Sequence, residues 1–381
     1  MNRSEEFALK NIDWVTTIYL SITPPLALVL GVGYLYYHGM SWGIVALSVF
    51  FYYACGMSIT AGYHRLFSHR TYDASKPVKI FYLLFGAASF QHSVLNWCAG
   101  HRIHHRYVDT DMDPYNAKRG FWYSHILWMF TKREPLQTPL GQQMTRDLRK
   151  DPWVVWQHNY YLWIAGFMCF VLPMLIGWMV GRPFGGLIFA GLVRMVCVHH
   201  FTYFINSLCH MFGTQNYGQA NTARDSWWVS LLTYGEGYHN FHHHFQNDYR
   251  NGIRWYDFDP TKWLIRLLSW VGLTGRLKTE PEANIILAKV SWDRKKLAER
   301  FAEGLQPFQE RVDMLKESID QCAANYQQLQ KEYKEMCQRM RAKRDLQFFM
   351  LKRDLKLAKR ELRIRYSHWR KIVGRLEAQT V

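Results

Sequence analysis

WVTTIYLSITPPLALVLGVGYLYYHGMSWGIVALSVFFYYACGMSITAGY, residues 14–63, contains no Asp, Glu, Lys or Arg. A helix that spans a bilayer needs roughly 20 apolar residues. Two such lengths fit here, 14–37 and 40–63, parted only by a pause at His38-Gly39. The spacing predicts an antiparallel membrane hairpin, not one buried soluble helix. A second pair follows at 153–180 and 183–210, turning at Gly181-Arg182-Pro183, with Arg194 as its one charged interior residue. The expected class is an all-α integral membrane protein with four transmembrane helices in two hairpins. Ile80–Gly100 is also uncharged but is interrupted by Gln91, His92 and Asn96. It reads as one helix buried in protein or lying in the interface.

The spans hide behind an unremarkable average: mean hydropathy is −0.24 over 381 residues. Net charge is +17, of which Lys289–Val381 carries +10, with 23 basic and 13 acidic residues. Residues 64–151 hold 13 lysines and arginines, whereas the two hairpin turns hold only Arg182. Basic residues stay on the cytoplasmic side. Both termini and the segments 64–152 and 211–275 are therefore expected there, as a helical cap. Seven cysteines without a CxxC suit a reducing compartment, not a disulfide framework.

Seventeen histidines are distributed far from evenly. His64-Arg-Leu-Phe-Ser-His69 closes the second span. His101-Arg-Ile-His104-His105 and His239-Asn-Phe-His242-His243 share an HxxHH spacing, which places three imidazoles on one helix face. Isolated histidines such as His38, His158 and His368 read as solvated or packed. Eight histidines converging on one compartment would repel if protonated, and metal binding favours their neutral, ligating form. Eight exceed what one four-coordinate zinc can use, so two metals are expected. With no HExxH and no dominant carboxylate set, redox-active iron is favoured over a zinc protease site.

At HRLFSHRTY (64–72), HRIHHRYVDTDMDPYNAKRGFWYSHILW (101–128), NSLCH (206–210) and GEGYHNFHHHF (235–245), the sequence resembles the membrane-bound fatty acyl-CoA Δ9 desaturases, the stearoyl-CoA desaturase family. QNDYRNGIRWYDFDPTKWLI (246–265) is most similar to the bacterial branch, which implies a bacterial inner membrane rather than endoplasmic reticulum. The resemblance covers about residues 10–275. It implies a di-iron centre held by His64, His69, His101, His104, His105, His210, His239, His242 and His243, with Asn206 joined through water. His244 is expected outside the ligand set, and His125 to be structural. It further implies O2-dependent insertion of a cis double bond into a C16–C18 saturated chain. The metals carry that chemistry, with no separate acid or base residue. Gln91, Trp97, Thr202 and Tyr203 are expected to line a bent acyl tunnel, with Tyr52 and Gly56 at its end. The family more often has Trp where Tyr203 stands.

Lys132 and Arg133 match basic positions that meet the head group. The charged pair that the animal enzymes carry before the second box is here Ala99-Gly100. Coenzyme A is the first expectation for the acyl carrier; a phospholipid or a carrier protein are alternatives. An acyl-lipid desaturase or a histidine-box hydroxylase is the rival enzyme. A transporter is disfavoured by the absence of charge inside the spans except Arg194, and a nucleic-acid reader by the absence of a reader motif.

The membrane domain is expected over 1–275 and a basic helical tail over 276–381. Trp255–Leu273 reads as an amphipathic surface helix. In the tail, Leu315, Ile319, Cys322, Tyr326, Leu329, Tyr333, Met336 and Met340 form one heptad-like stripe. Leu351, Leu355, Ala358, Leu362, Arg365, Trp369, Ile372 and Leu376 form another. They could pair as a hairpin, run on as a broken coil, or dimerise. With one histidine, no HPGG and two cysteines, the tail offers no cytochrome b5 or iron–sulfur module. Electrons are expected from an external cytochrome b5-, ferredoxin- or rubredoxin-like donor and its reductase.

Overall fold

The structure, a computed structural model, describes residues 7–132, 134–300, 306–339 and 346–378. Helices α1 (Trp14–His38) and α2 (Trp42–Ser68) come first, then α3 (Lys76–Ala87) and α4 (Val94–Tyr107), then α5 (Tyr161–Met179) and α6 (Pro183–Met211). Among the described residues, α1, α2, α5 and α6 are the helices long and apolar enough to cross a membrane.

Asp13 opens α1 by accepting the Thr16 N–H at 3.1 Å, and Gly39 closes it at φ +66, a conformation that favours glycine. Leu20, Ala27, Gly31 and Tyr34 form its one buried stripe, whereas Val15, Ile18, Ile22, Leu26 and Val29 face outward. An apolar exterior beside a narrow buried stripe is what lipid contact requires. Ala27 and Gly31 keep the stripe flat, and a Cβ at Gly31 would stand 3.5 Å from Val193 of α6.

Two expected boundaries move. The third span begins at Tyr161, not near 153, because Pro152–Asn159 is a separate helix ending at Tyr160. That helix is held inward by Gln157, which donates to the Tyr63 hydroxyl at 2.7 Å. Ile80–Gly100 is not one helix: Phe90 and His92 take φ +53 and +69 between α3 and α4. Positive φ at two non-glycine residues is incompatible with a continuous helix.

After α6 come α7 (His239–His244) and the surface helix α8 (Pro260–Trp270). Strand β1 (Asp73–Ala74) pairs antiparallel with β2 (Thr274–Gly275). Tyr63, Leu83, Leu95, Val154 and Ile265 form the core under this region. Trp255, Trp263, Leu267 and Trp270 stay exposed on and beside α8.

The chain forms two compact units, residues 1–215 with 219–279, and 216–218 with 280–381. The second contains α9 (Glu282–Arg300), α10 (Gln306–Arg339) and α11 (Leu346–Ala378). Val290, Ile319, Tyr326, Leu362 and Trp369 meet in its core. The ring of Tyr333 lies 5.1 Å from that of Phe348, and Arg365 bonds Ser318. Those pairings make α10 and α11 antiparallel neighbours, with α9 as third member. Met340, the last residue of the first stripe, lies outside the described residues.

Candidate metal centre

An α-helix turns 3.6 residues per turn, so His64 and His69, five apart, would diverge by about 140°. From Ser58 to Ser68, α2 instead winds with i→i+5 bonding, and the His69 N–H donates to the His64 carbonyl at 3.1 Å. The wider turn returns both rings to one side. Local π-type winding recurs at functional sites because it re-aims side chains.

The nine histidines assemble into two buried groups. His64, His69, His101, His105 and His242 form one; His104, His210, His239 and His243 form the other. Within each group the candidate ligand atoms lie within 4.8 Å of one another. The Nε2–Nε2 separations are 2.8 Å for His69–His101, 3.0 Å for His64–His242 and for His105–His242, 3.3 Å for His104–His243 and 3.0 Å for His239–His243.

The HxxHH boxes do not each aim three rings at one point. In α4, His101 and His105 serve the group of five and His104 the group of four. In α7, His239 and His243 serve the group of four and His242 the group of five. On a helix, i and i+4 differ by about 40° while i+3 lies on the other flank. Two facing helices therefore exchange their middle histidines.

Outer partners set the tautomers. Asp113 Oδ1 lies 2.9 Å from His104 Nδ1. Burial alone would raise that carboxyl, but the His104 imidazole and the N–H groups of Asp109 and Tyr115 override it and hold it below its ordinary range. His210 Nδ1 lies 2.8 Å from Thr222 Oγ1, whose hydroxyl donates to Asp109 at 2.7 Å. Glu236 Oε2 lies 3.0 Å from His64 Nδ1. With Nδ1 bearing the proton, Nε2 of each ring is a bare lone pair. Lone pairs facing each other at about 3 Å repel unless a cation sits between them, and this donor set fits a pair of transition metals. Burial first, then neighbouring imidazoles, holds His69, His101, His105, His239, His242 and His243 well below the usual histidine range, in their ligating form.

Behind Glu236 lies a buried ion cluster. Arg65 donates to Glu236 Oε1 at 3.2 and 2.8 Å, to Asp259 at 3.1 and 3.0 Å and to the Tyr249 carbonyl at 2.8 Å. Burial opposes ionisation of Glu236, yet Arg65 and His64 together hold its carboxyl down at about 2. Sequence reasoning missed Asp109, Asp113, Thr222, Glu236 and Asp259. The acidic residues inside the DTDMDP and GEGYH runs were the available signal.

A cavity of about 390 Å³ adjoins the histidines, lined among others by Tyr19, Gln91, Trp97, Thr202, Tyr203, Asn206, His64 and His239. Trp97 stacks on His101 at 4.9 Å between centroids, and Gln91 donates to Thr202 Oγ1 at 3.0 Å. Tyr52 and Gly56 are not in that lining. A Cβ at Gly56 would fall 2.0 Å from the Tyr234 ring, which lies 5.0 Å from the Tyr52 ring and donates to the Tyr52 carbonyl at 3.3 Å. Lys132 is exposed and donates to the Lys10 carbonyl at 3.0 Å, whereas Arg133 lies outside the described residues. His244 is exposed against Phe245. His125 is buried, 3.1 Å from Ser207 Oγ and 3.1 Å from His200 Nδ1.

Asp113→Asn removes an acceptor-only partner and lets His104 rotate or change tautomer. The expected result is metal affinity at the group of four lowered roughly 10–100-fold, read by metal titration. Unchanged affinity would remove Asp113 from this role.

Comparison with known proteins follows the same residues. A family profile described as fatty acid desaturase matches residues 40–269. The "Probable acyl-CoA desaturase" of Schizosaccharomyces pombe is 46% identical over 255 residues, 67% of this chain and 53% of that one. "Acyl-CoA desaturase 1" of Saccharomyces cerevisiae is 45% identical over 261 residues, 68% of this chain and 51% of that one. The "sn-2 palmitoyl-lipid 9-desaturase" of a Nostoc species is 35% identical over 274 residues, 71% of this chain and 92% of that one. The chain thus spans about half the length of the two yeast relatives.

Proposed function

This chain belongs to the fatty acid desaturase family, and from that premise we propose that it inserts a cis double bond at Δ9 of a saturated C16–C18 acyl chain carried on coenzyme A. The observation that carries this reading is the pair of histidine groups beside a cavity of about 390 Å³. Two irons, when bound, would supply activation of O2 and removal of hydrogen from unactivated methylenes, with electrons from an external donor. His64, His69, His101, His105 and His242 would hold one; His104, His210, His239 and His243 the other, with Asn206 reaching it through water.

The chain's own residues do the rest. Unactivated methylenes offer no charge to grip, so position must come from shape and exclusion of water. Trp97, fixed flat against His101, would set the wall nearest the reacting carbons. The Gln91–Thr202 bond would hold the opposite walls together at the bend. Both chain ends are read as cytoplasmic, on the 13 basic residues between the span pairs.

The yeast relatives support coenzyme A as carrier. The Nostoc relative and the uncharged Ala99-Gly100 pair support an acyl-lipid substrate as the second reading. Expression in a desaturase-deficient host, with fatty acids and their carriers resolved by mass spectrometry, decides between them. A new double bond at Δ9 supports the proposal; a hydroxyl product or no product defeats it.

Tyr52 and Tyr234 stand outside the lining of that cavity and would stop only a chain that reaches beyond it. Tyr52→Ala is expected to shift products toward longer chains by freeing the ring volume beside Gly56. An unchanged chain-length profile would count against a stop at this point.

A further inference from the structure

The outer face of α11 has no role in the chemistry above. Lys352, Lys356, Arg360, Arg370, Lys371 and Arg375 are all exposed, and none has an ion-pair partner among the described residues. On a helical wheel they fall within an arc of about 140°, opposite the buried Ala358, Leu362 and Trp369, along about 36 Å of helix. The three acids of α11 lie outside that arc and are engaged: Asp354 with Arg353 at 3.3 Å, Glu361 with Arg365 at 2.8 Å, Glu377 with Lys296 at 3.9 Å. Arg353 and Arg363 share the arc and are paired, with Asp354 and with Glu282 of α9, so the six residues named first are its uncompensated positive charge. The face is not purely polar. Phe349, Leu357 and Ile364, each more than half exposed at 56%, 54% and 58%, fall in the same arc.

A solvated charged helix would intersperse acids along its outer face and keep large apolar groups off it. Basic residues alternating with single apolar side chains suit a surface that is anionic with hydrocarbon just beneath. This stripe also belongs to a chain anchored by membrane-spanning helices, so a bilayer surface is present at high effective concentration. We propose that this face of α11 binds anionic phospholipid head groups at the membrane surface. Each such basic residue near an anionic leaflet adds attraction that salt screens, while Leu357 and Ile364 insert beside the head groups. The inference requires only that the chain be membrane-anchored, not that it desaturate.

The test uses the full chain in nanodiscs of phosphatidylcholine alone or with about 30% phosphatidylglycerol. Chymotryptic cleavage after Phe349 and Leu357, sites on the stripe itself, is followed with time. Cleavage is expected to slow about tenfold in the anionic discs and to recover in about 0.5 M NaCl. A variant with K352Q, K356Q, R360Q and K371Q keeps the chymotryptic sites and is expected to lose the protection. Its circular dichroism and its cleavage rate in neutral discs report whether it still folds. If it does not, the salt titration of the unaltered chain decides alone. Equal rates in both discs overturn the proposal, as does protection indifferent to salt. Protection in neutral discs that appears only when an acidic redox protein is added overturns it in favour of a protein partner.

Discussion

His101→Ala and His104→Ala, one turn apart in the same helix, are each expected to abolish desaturation while stripping different metals. His101 belongs to the group of five and His104 to the group of four. Loss of either ring removes a nitrogen from one group and leaves the other group's ligands in place. Each variant should retain one metal of the pair, and the residual metals should differ spectroscopically. The activity loss should exceed the roughly 10–100-fold that an outer partner costs, because a ligand itself is gone. His242→Ala should resemble His101→Ala, and His243→Ala should resemble His104→Ala, despite the reversed sequence neighbourhoods. Metal analysis with Mössbauer spectra of iron-loaded protein checks the pairing. Full turnover by the His104→Ala protein would defeat the site, and identical spectra for His101→Ala and His104→Ala would defeat the division.

Arg65→Met is expected to be the most damaging single change away from the ligands. Arg65 is 1% exposed and neutralises Glu236 and Asp259, themselves 1% and 0% exposed. Removing one partner of a buried ion cluster leaves uncompensated charge and costs about 3–5 kcal/mol. Two consequences should appear together: a lower thermal midpoint in detergent, and weaker metal binding as Glu236 shifts from His64. The triple variant R65M, E236Q, D259N removes the stranded charge and should recover much of the stability. It should not recover metal affinity, since the His64 partner has changed. Recovery of both, or loss of neither, would show that the cluster does not position His64.

Much of the site is legible in the sequence alone. The charge-free run from Trp14 to Tyr63 marks two spans because lipid tolerates so few unpaired polar groups. The spacing of the boxes marks eight histidines as a set, and resemblance adds His210, which periodicity alone cannot single out. What was misread was continuity. Phe90 and His92 break an apolar run that composition presents as one helix, and Tyr160 detaches Pro152–Asn159 from the third span. Such breaks are imposed by packing, as where Gln157 must reach Tyr63, and they leave no periodic trace.

Burial of apolar surface and helical repeat act along the chain, over one or two turns. They were enough to determine a four-span membrane protein, a histidine-rich centre and a basic helical tail. The division of nine histidines into five and four depends instead on how α2, α4, α6 and α7 face one another, and on the winding that turns His69 beside His64. The partnership of Arg65 with Glu236 and Asp259 joins residues 171 and 194 positions apart. The pairing of α10 with α11 rests likewise on side chains that meet only after the chain has doubled back. Those relations are between elements, so only the tertiary structure decided them.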